Sequence, residues 1–270
     1  MAVCELFIVY CTLHGHVRTL AEAQKRGASA VPGVHVSLYR VPNDGRPACS
    51  SSRSSAQQPG NIPEIEPHQL AEADGFLFGF PLYFGNVPAS FQALWDHTTA
   101  LWTKGALTGK LAGTFFSASG FNSGQETAVL SFMTTLANHG IIYMPLGSAS
   151  HLLLGSEEPH GCSAFGAGTL AGHTNERTPS QLELLVAEFQ GHLFAQTLLD
   201  LTMARRQSSG MLSAVELTKM YASCKLPGVA IATTNTAAVA ATSAAVMAME
   251  RDQALVCGGG GARVPFVPAC

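Results

Sequence analysis

Charge is scarce in this 270-residue chain. Only 12% of residues are Asp, Glu, Lys or Arg, and 15 bases against 18 acids give a net charge of −3. That balance offers no basic field for a nucleic acid. Disulfide chemistry has as little to work with. The seven cysteines, at 4, 11, 49, 162, 224, 257 and 270, are odd in number and lack any CxxC spacing, and two of them sit in or beside the first strand, so they read as reduced thiols. No basic n-region and apolar h-region follows Met1, where a core strand begins at once, and the expectation is a cytoplasmic chain. No GxGxxG follows that strand, which argues against a dinucleotide site there. The uncharged run from Val229 to Met249 is long enough to span a membrane, but Thr, Ser and Asn dilute it, and no stable insertion is expected.

What is present begins with residues 5 to 20, ELFIVYCTLHGHVRTL. Leu6 to Tyr10 form an apolar run that reads as a strand buried on both faces, Thr12 to His16 turn the chain, and from Val17 the apolar residues take the spacing of one helix face. A helix N-terminus after a tight loop suits an anion such as a phosphate monoester, with the Thr12 hydroxyl as an added donor. An ordinary strand-to-helix connection would look similar.

The β/α alternation continues. Residues 34–41 alternate as a strand, 43–63 are a Ser/Pro/Gly-rich surface insertion, and 67–73 form a short helix leading into an apolar third strand, Gly75 to Pro81. Residues 89–102 carry Phe91, Leu94, Trp95 and Leu101 at helical spacing, 111–119 form a fourth strand, 125–138 a helix, and 141–147 a fifth strand. A Gly- and His-rich segment runs to Asn175. Thr178, Pro179 and Gln181 then supply an N-cap, a first-turn proline and a capping-box partner for a helix to about Arg206. The reading is a doubly wound, five-stranded parallel α/β sheet over residues 1–206, with helices on both faces. Residues 207–270 form an Ala/Gly-rich, poorly ordered extension in which 212–224 add one further helix at most.

Three loops leave strand ends: Thr12 to Val17, Leu82 to Val87, and Ser117 to Gly124. Each mixes small residues with groups that can grip a ring, and together they describe a pocket at the carboxyl ends of the strands. A phosphate site beside two ring-gripping loops fits a mononucleotide, and flavin mononucleotide (FMN) is the natural candidate.

The segments GHVRTLA (15–21), FGNVP (84–88), LWTKGALTGKLA (101–112), GQET (124–127), TTLANHGIIYMPLG (134–147) and FGAGTLAG…PSQLEL (165–183) resemble, in order and spacing, the WrbA family of flavodoxin-like NAD(P)H:quinone oxidoreductases, over roughly residues 3–200. The resemblance implies a flavodoxin-like fold, bound FMN, NAD(P)H as electron donor, a quinone as acceptor, and a homotetramer with sites near subunit contacts. By position, Thr12, Leu13, His14, Gly15, His16 and Val17 match the phosphate loop. Leu82, Tyr83 and Phe84, continuing into Gly85 and Asn86, match one ring-contacting loop, and Ala118, Ser119, Gly120, Phe121, Asn122 and Ser123 match the other. His139 matches a histidine beside the flavin, able to stabilise negative charge there, and Trp102 matches a tryptophan lining the substrate side. Read without the resemblance, His139 is a helix-end dipole partner, Trp102 an interface or core residue, and Cys11 a small buried hydrophobe.

The chain also departs from the family. His14 stands in place of a tyrosine of the cofactor and nicotinamide site, Leu82 and Tyr83 in place of a Thr-Arg pair, and Phe121, Asn122 and Ser123 interrupt a Gly/Thr-rich loop. Loss of that arginine removes a positive charge, and Phe121 either clashes with a ring or stacks on it. Two other functions stay open on these grounds: a flavodoxin-type electron carrier, and a scaffold that has lost its flavin.

Overall fold

The computed structural model describes residues 4–42, 62–150, 153 and 158–207. All but the last two residues of the 43–63 insertion, the extension from 208 onward, the added helix at 212–224 and the run 229–249 lie outside the described residues.

Strands β1 (Cys4–Tyr10), β2 (Val34–Arg40), β3 (Gly75–Pro81) and β4 (Leu111–Ala118) run parallel in the order β2-β1-β3-β4. The fifth position, on the free edge of β4, holds two short pieces. Strand β5 (Ile142–Tyr143) pairs with Leu111 and Ala112, and β6 (Gly168–Leu170) with Phe116 to Ala118. The strand expected over 141–147 therefore stops early. Met144 N–H still donates to the Ala112 carbonyl (2.8 Å), but Pro145 has no N–H and the chain leaves the edge. The result is the flavodoxin-like order 2-1-3-4-5 with an insertion splitting its last strand.

Strand alternation sorts side chains onto the two faces. Leu6, Ile8 and Tyr10 of β1 pack with Phe115 of β4 under α1 (His16–Ser29) and α5 (Gln181–Gln207). Phe7 and Val9, with Phe76, Phe78 and Phe80 of β3, pack under α2 (Ala89–Asp96) and α4 (Gln125–Asn138). There Phe78, Phe80, Phe91, Trp95 and Phe132 meet edge to face at centroid separations of 5.5–5.9 Å. Helices α1 and α5 approach closely through glycines. A Cβ on Gly27 would lie 1.8 Å from the Glu188 carbonyl oxygen, and one on Gly191 2.1 Å from that of Gln24.

The helix expected over 89–102 is broken into α2 and a short α3 (Thr99–Thr103). Thr98 causes the break: its hydroxyl donates to the Trp95 carbonyl (2.6 Å), offering the backbone an alternative to the next helical turn. The cap of α5 also lies two residues later than the sequence pattern indicated. Ser180 and Glu183 form the box, Ser180 N–H donating to Glu183 Oε2 (2.8 Å) and Glu183 N–H to Ser180 Oγ (3.3 Å), in place of Thr178 and Gln181. Among the described residues no helix is long and apolar enough to cross a membrane.

Candidate functional site

Strand order reverses between β1 and β3, and the loops leaving their carboxyl ends form the site. After β1 the chain turns at Gly15, whose φ of 94° caps α1 without a side-chain hydrogen bond. The first intrahelical bond runs from Thr19 N–H to the Gly15 carbonyl (3.0 Å), so the amides of His16 and Val17 precede the helical ladder at its positive end. Thr12 Oγ1 accepts the Gly15 N–H (3.1 Å), which leaves the hydroxyl hydrogen to donate outward. The first turn of α1 carries no acidic residue. These groups open into a cavity of about 200 Å³ lined by Thr12, Leu13, His14, His16 and Val17 on one side and Leu82, Tyr83 and Ser119 on the other.

Leu82, Tyr83 and Ser119 are shared with a second cavity of about 490 Å³, which adds Phe84, Gly85, Asn122 and Ser123. Its first wall is a two-residue turn closed by mutual Tyr83–Asn86 backbone bonds (2.9 Å each), with Phe84 at φ 51° and Gly85 at φ 71°. Phe84 is fully exposed at its tip. A bulky residue held in the left-handed region with its ring in solvent is strained, and such strain concentrates at ligand clamps. The second wall is a turn closed by Ser123, whose hydroxyl donates to the Gly120 carbonyl (2.8 Å) and accepts Gly120 N–H (3.0 Å). Ala118 lines the smaller cavity at the end of β4. Phe121, at the tip of this turn, lines neither cavity; it lines a third on the far side of the loop.

A buried ionic frame holds the site's back wall. Glu183 is completely buried and receives Arg177 Nη1 (2.9 Å to each oxygen), the Thr169 hydroxyl (2.7 Å) and the Gly161, Leu170 and Ser180 amides. A buried carboxylate needs this saturation. Arg177 N–H donates to the Ala171 carbonyl (2.9 Å), and the Arg177 carbonyl accepts His16 Nε2–H (2.8 Å), fastening segment 171–177 to the start of α1. Burial holds the His16 pKa below its ordinary value, although the Arg177 carbonyl favours the protonated ring. Ala171 and Asn175 thereby become part of the smaller cavity. Sequence reading assigned them no role; the one available signal was the Gly-His-Thr-Asn turn, where Asn175 adopts φ 61°.

His139 and Trp102 lie elsewhere. Helix α4 starts at the site and runs back along the sheet for 14 residues, about 21 Å, which carries His139 to the amino ends of the strands. There His139 bonds the Thr98 hydroxyl (2.8 Å) and the Thr135 carbonyl (3.0 Å) and packs edge-on to Trp95, while Trp102 Nε1–H donates to the Asn138 carbonyl (2.9 Å). Neither residue lines the cavities described above. Cys11 is wholly buried and its thiol pushed up to about 12 by that burial, an inert core residue.

A doubly wound sheet whose first loop presents helix-end amides beside an aromatic-walled cleft defines an α/β mononucleotide-binding protein of flavodoxin type. The chain belongs to the NADPH-dependent FMN reductase family, which it matches over residues 5–151. It is similar to Protoplast secreted protein 2 of Saccharomyces cerevisiae, 44% identical over 70% of this chain and 96% of that protein. An NAD(P)H quinone oxidoreductase of Candida albicans is 42% identical over 71% of this chain and 94% of its own length, and a quinone-oxidoreductase of Triphysaria versicolor 41% identical over 71% and 93%. In fold it resembles a flavodoxin, WrbA-like protein from Agrobacterium tumefaciens, with a TM-score of 0.51 at 18% identity, covering 73% of this chain and 98% of that one.

Proposed function

We propose that this chain is an NAD(P)H:quinone oxidoreductase working through bound FMN. The observation that carries the reading is the union of two cavities through Leu82, Tyr83 and Ser119: one end offers helix amides and a hydroxyl, the other an aromatic-walled cleft. That is the shape of a phosphorylated ring cofactor. The similarity to proteins named quinone oxidoreductases supports the acceptor class.

Bound FMN supplies the two-electron chemistry, and the chain's residues do the holding. The Thr12 hydroxyl and the amides of residues 13–17 take the phosphate; no Lys or Arg lines either cavity among the described residues, so amides and dipole carry the charge. The Tyr83–Asn86 turn and the Ala118–Ser123 loop bracket the ring, and Gly15, Asn86 and Gly120 shape the backbone without lining the cleft. His14, at the mouth, meets the nicotinamide or the quinone. Trp102, with 56% of its surface exposed, and His139 enter the site of a neighbouring subunit in a homotetramer. Residues 1–206 are the functional domain and the chain acts in the cytoplasm.

Purification tests this directly. The expected protein shows flavin absorbance, or regains it with FMN, and reduces benzoquinone with a nicotinamide donor as a tetramer. A colourless protein that cannot be reconstituted would sink the reading, and a flavoprotein inert toward quinones would make it a carrier.

A further inference from the structure

A third cavity, of about 400 Å³, lies behind the Ala118–Ser123 loop, and Asn122 and Gly124 line both it and the ring cleft, so the two lie side by side across that loop. Three of its side chains have no task in the reading above. Phe121 presents a ring with 64% of its surface exposed, a face on which a planar base can stack. Glu126, in the first turn of α4, is the one carboxylate on the lining among the described residues, an acceptor-only group suited to vicinal hydroxyls. His160 Nδ1 is buried and has no hydrogen-bond partner among the described residues. No Lys or Arg lines this cavity among those residues.

We infer that this cavity holds the adenosine half of the electron donor, and that Glu126 makes the chain select NADH over NADPH. The inference rests on the proposed quinone-reductase reading. Adenine stacks on Phe121, the Glu126 carboxylate accepts from the ribose 2′- and 3′-hydroxyls, and His160 Nδ1 meets a remaining polar group of the nucleoside. A carboxylate on the ribose diol marks dinucleotide sites that take NAD, whereas a 2′-phosphate requires a nearby cation. Here a 2′-phosphate meets a like charge instead, and juxtaposed like charges are a strong rejecting device.

ADP-ribose and its 2′-phosphate are redox-inert probes of the site. Calorimetric titration of the FMN-loaded protein should show ADP-ribose binding about tenfold or more tightly than its 2′-phosphate. Glu126→Arg should reverse that order, and Phe121→Ala should weaken both probes about tenfold and equally. Steady-state kcat/KM for NADH and NADPH should follow the same ranking. Equal binding of both probes by the wild type, or a ratio unmoved by Glu126→Arg, overturns the inference. A protein that reduces quinone equally well with either donor overturns it alone and leaves the quinone-reductase reading standing, whereas one that holds no FMN overturns that reading first.

Discussion

Helices α1 and α4 both leave the carboxyl end of a strand through a glycine in the left-handed region, φ 94° at Gly15 and 78° at Gly124, and neither cap uses a side-chain hydrogen bond. Their first turns differ. That of α1 carries no acid and opens on the small amide-rich cavity, while that of α4 carries Glu126 and opens on the cavity beyond the ring cleft. The free N–H groups and positive dipole end belong to any helix start, so the backbone supplies two equivalent anion sites. One side chain in the first turn distinguishes them, since a carboxylate near the positive end repels a bound anion.

The largest expected effect comes from removing what both sites share. Glu183 receives Arg177, whose carbonyl holds His16 at the first site, and the Gly161 amide, on the wall of the third cavity. Glu183→Ala leaves a guanidinium, a hydroxyl and three amides without their acceptor and should destabilise the fold by about 3–5 kcal/mol in urea titrations. Gly15→Val forces a β-branched residue to φ 94° and should weaken FMN binding by about tenfold or more, from about 1–3 kcal/mol of strain, read by fluorescence quenching on reconstitution. Arg18→Glu gives α1 the acid that α4 already has and breaks the Arg18–Glu22 pair. FMN affinity should fall about fivefold, and added salt should shrink the difference. Glu126→Gln removes the acid from α4 and should lower stability by about 0.3–1 kcal/mol, seen as a small drop in Tm.

The smallest effect is in pH. His16 titrates below its ordinary 6.5 in the folded protein because burial disfavours its charge. Above that pH the ring is neutral in both states and its contribution is complete; as pH falls below it, the unfolded chain takes a proton the native one resists, and stability declines. His16→Gln keeps a donor for the Arg177 carbonyl and removes the titration, so its stability should fall less than the wild type's between about pH 7 and about pH 5.

Much of the molecule was legible in its residues. Leu6 to Tyr10 and Gly75 to Pro81 declared themselves as central strands by unbroken apolar character, and β1, β3 and β4 lie where the pattern put them. The three loops followed, because a strand's end fixes where its loop begins. Local choices with two near-equal solutions were less legible. Thr98 could continue a helix or bend it, and both Thr178/Gln181 and Ser180/Glu183 could form a capping box; Glu183 prevailed because its carboxylate also finds Arg177. Strand β6 was invisible because three residues, Gly168 to Leu170, are too few to show a period.

By itself the amino-acid sequence determined the four long strands, the glycine at the head of α1 and the polarity of each loop, since these depend on residues close together in the chain. Tertiary structure alone decided which side chains meet: that Ala171 and Asn175 close the smaller cavity, that Phe121 lines the third cavity with Glu126, and that His139 and Trp102 stand at the far end of the sheet. Those outcomes depend on helix length, on the Gly27–Gly191 crossing and on a buried ion pair, contacts between residues far apart in sequence whose positions no local pattern encodes.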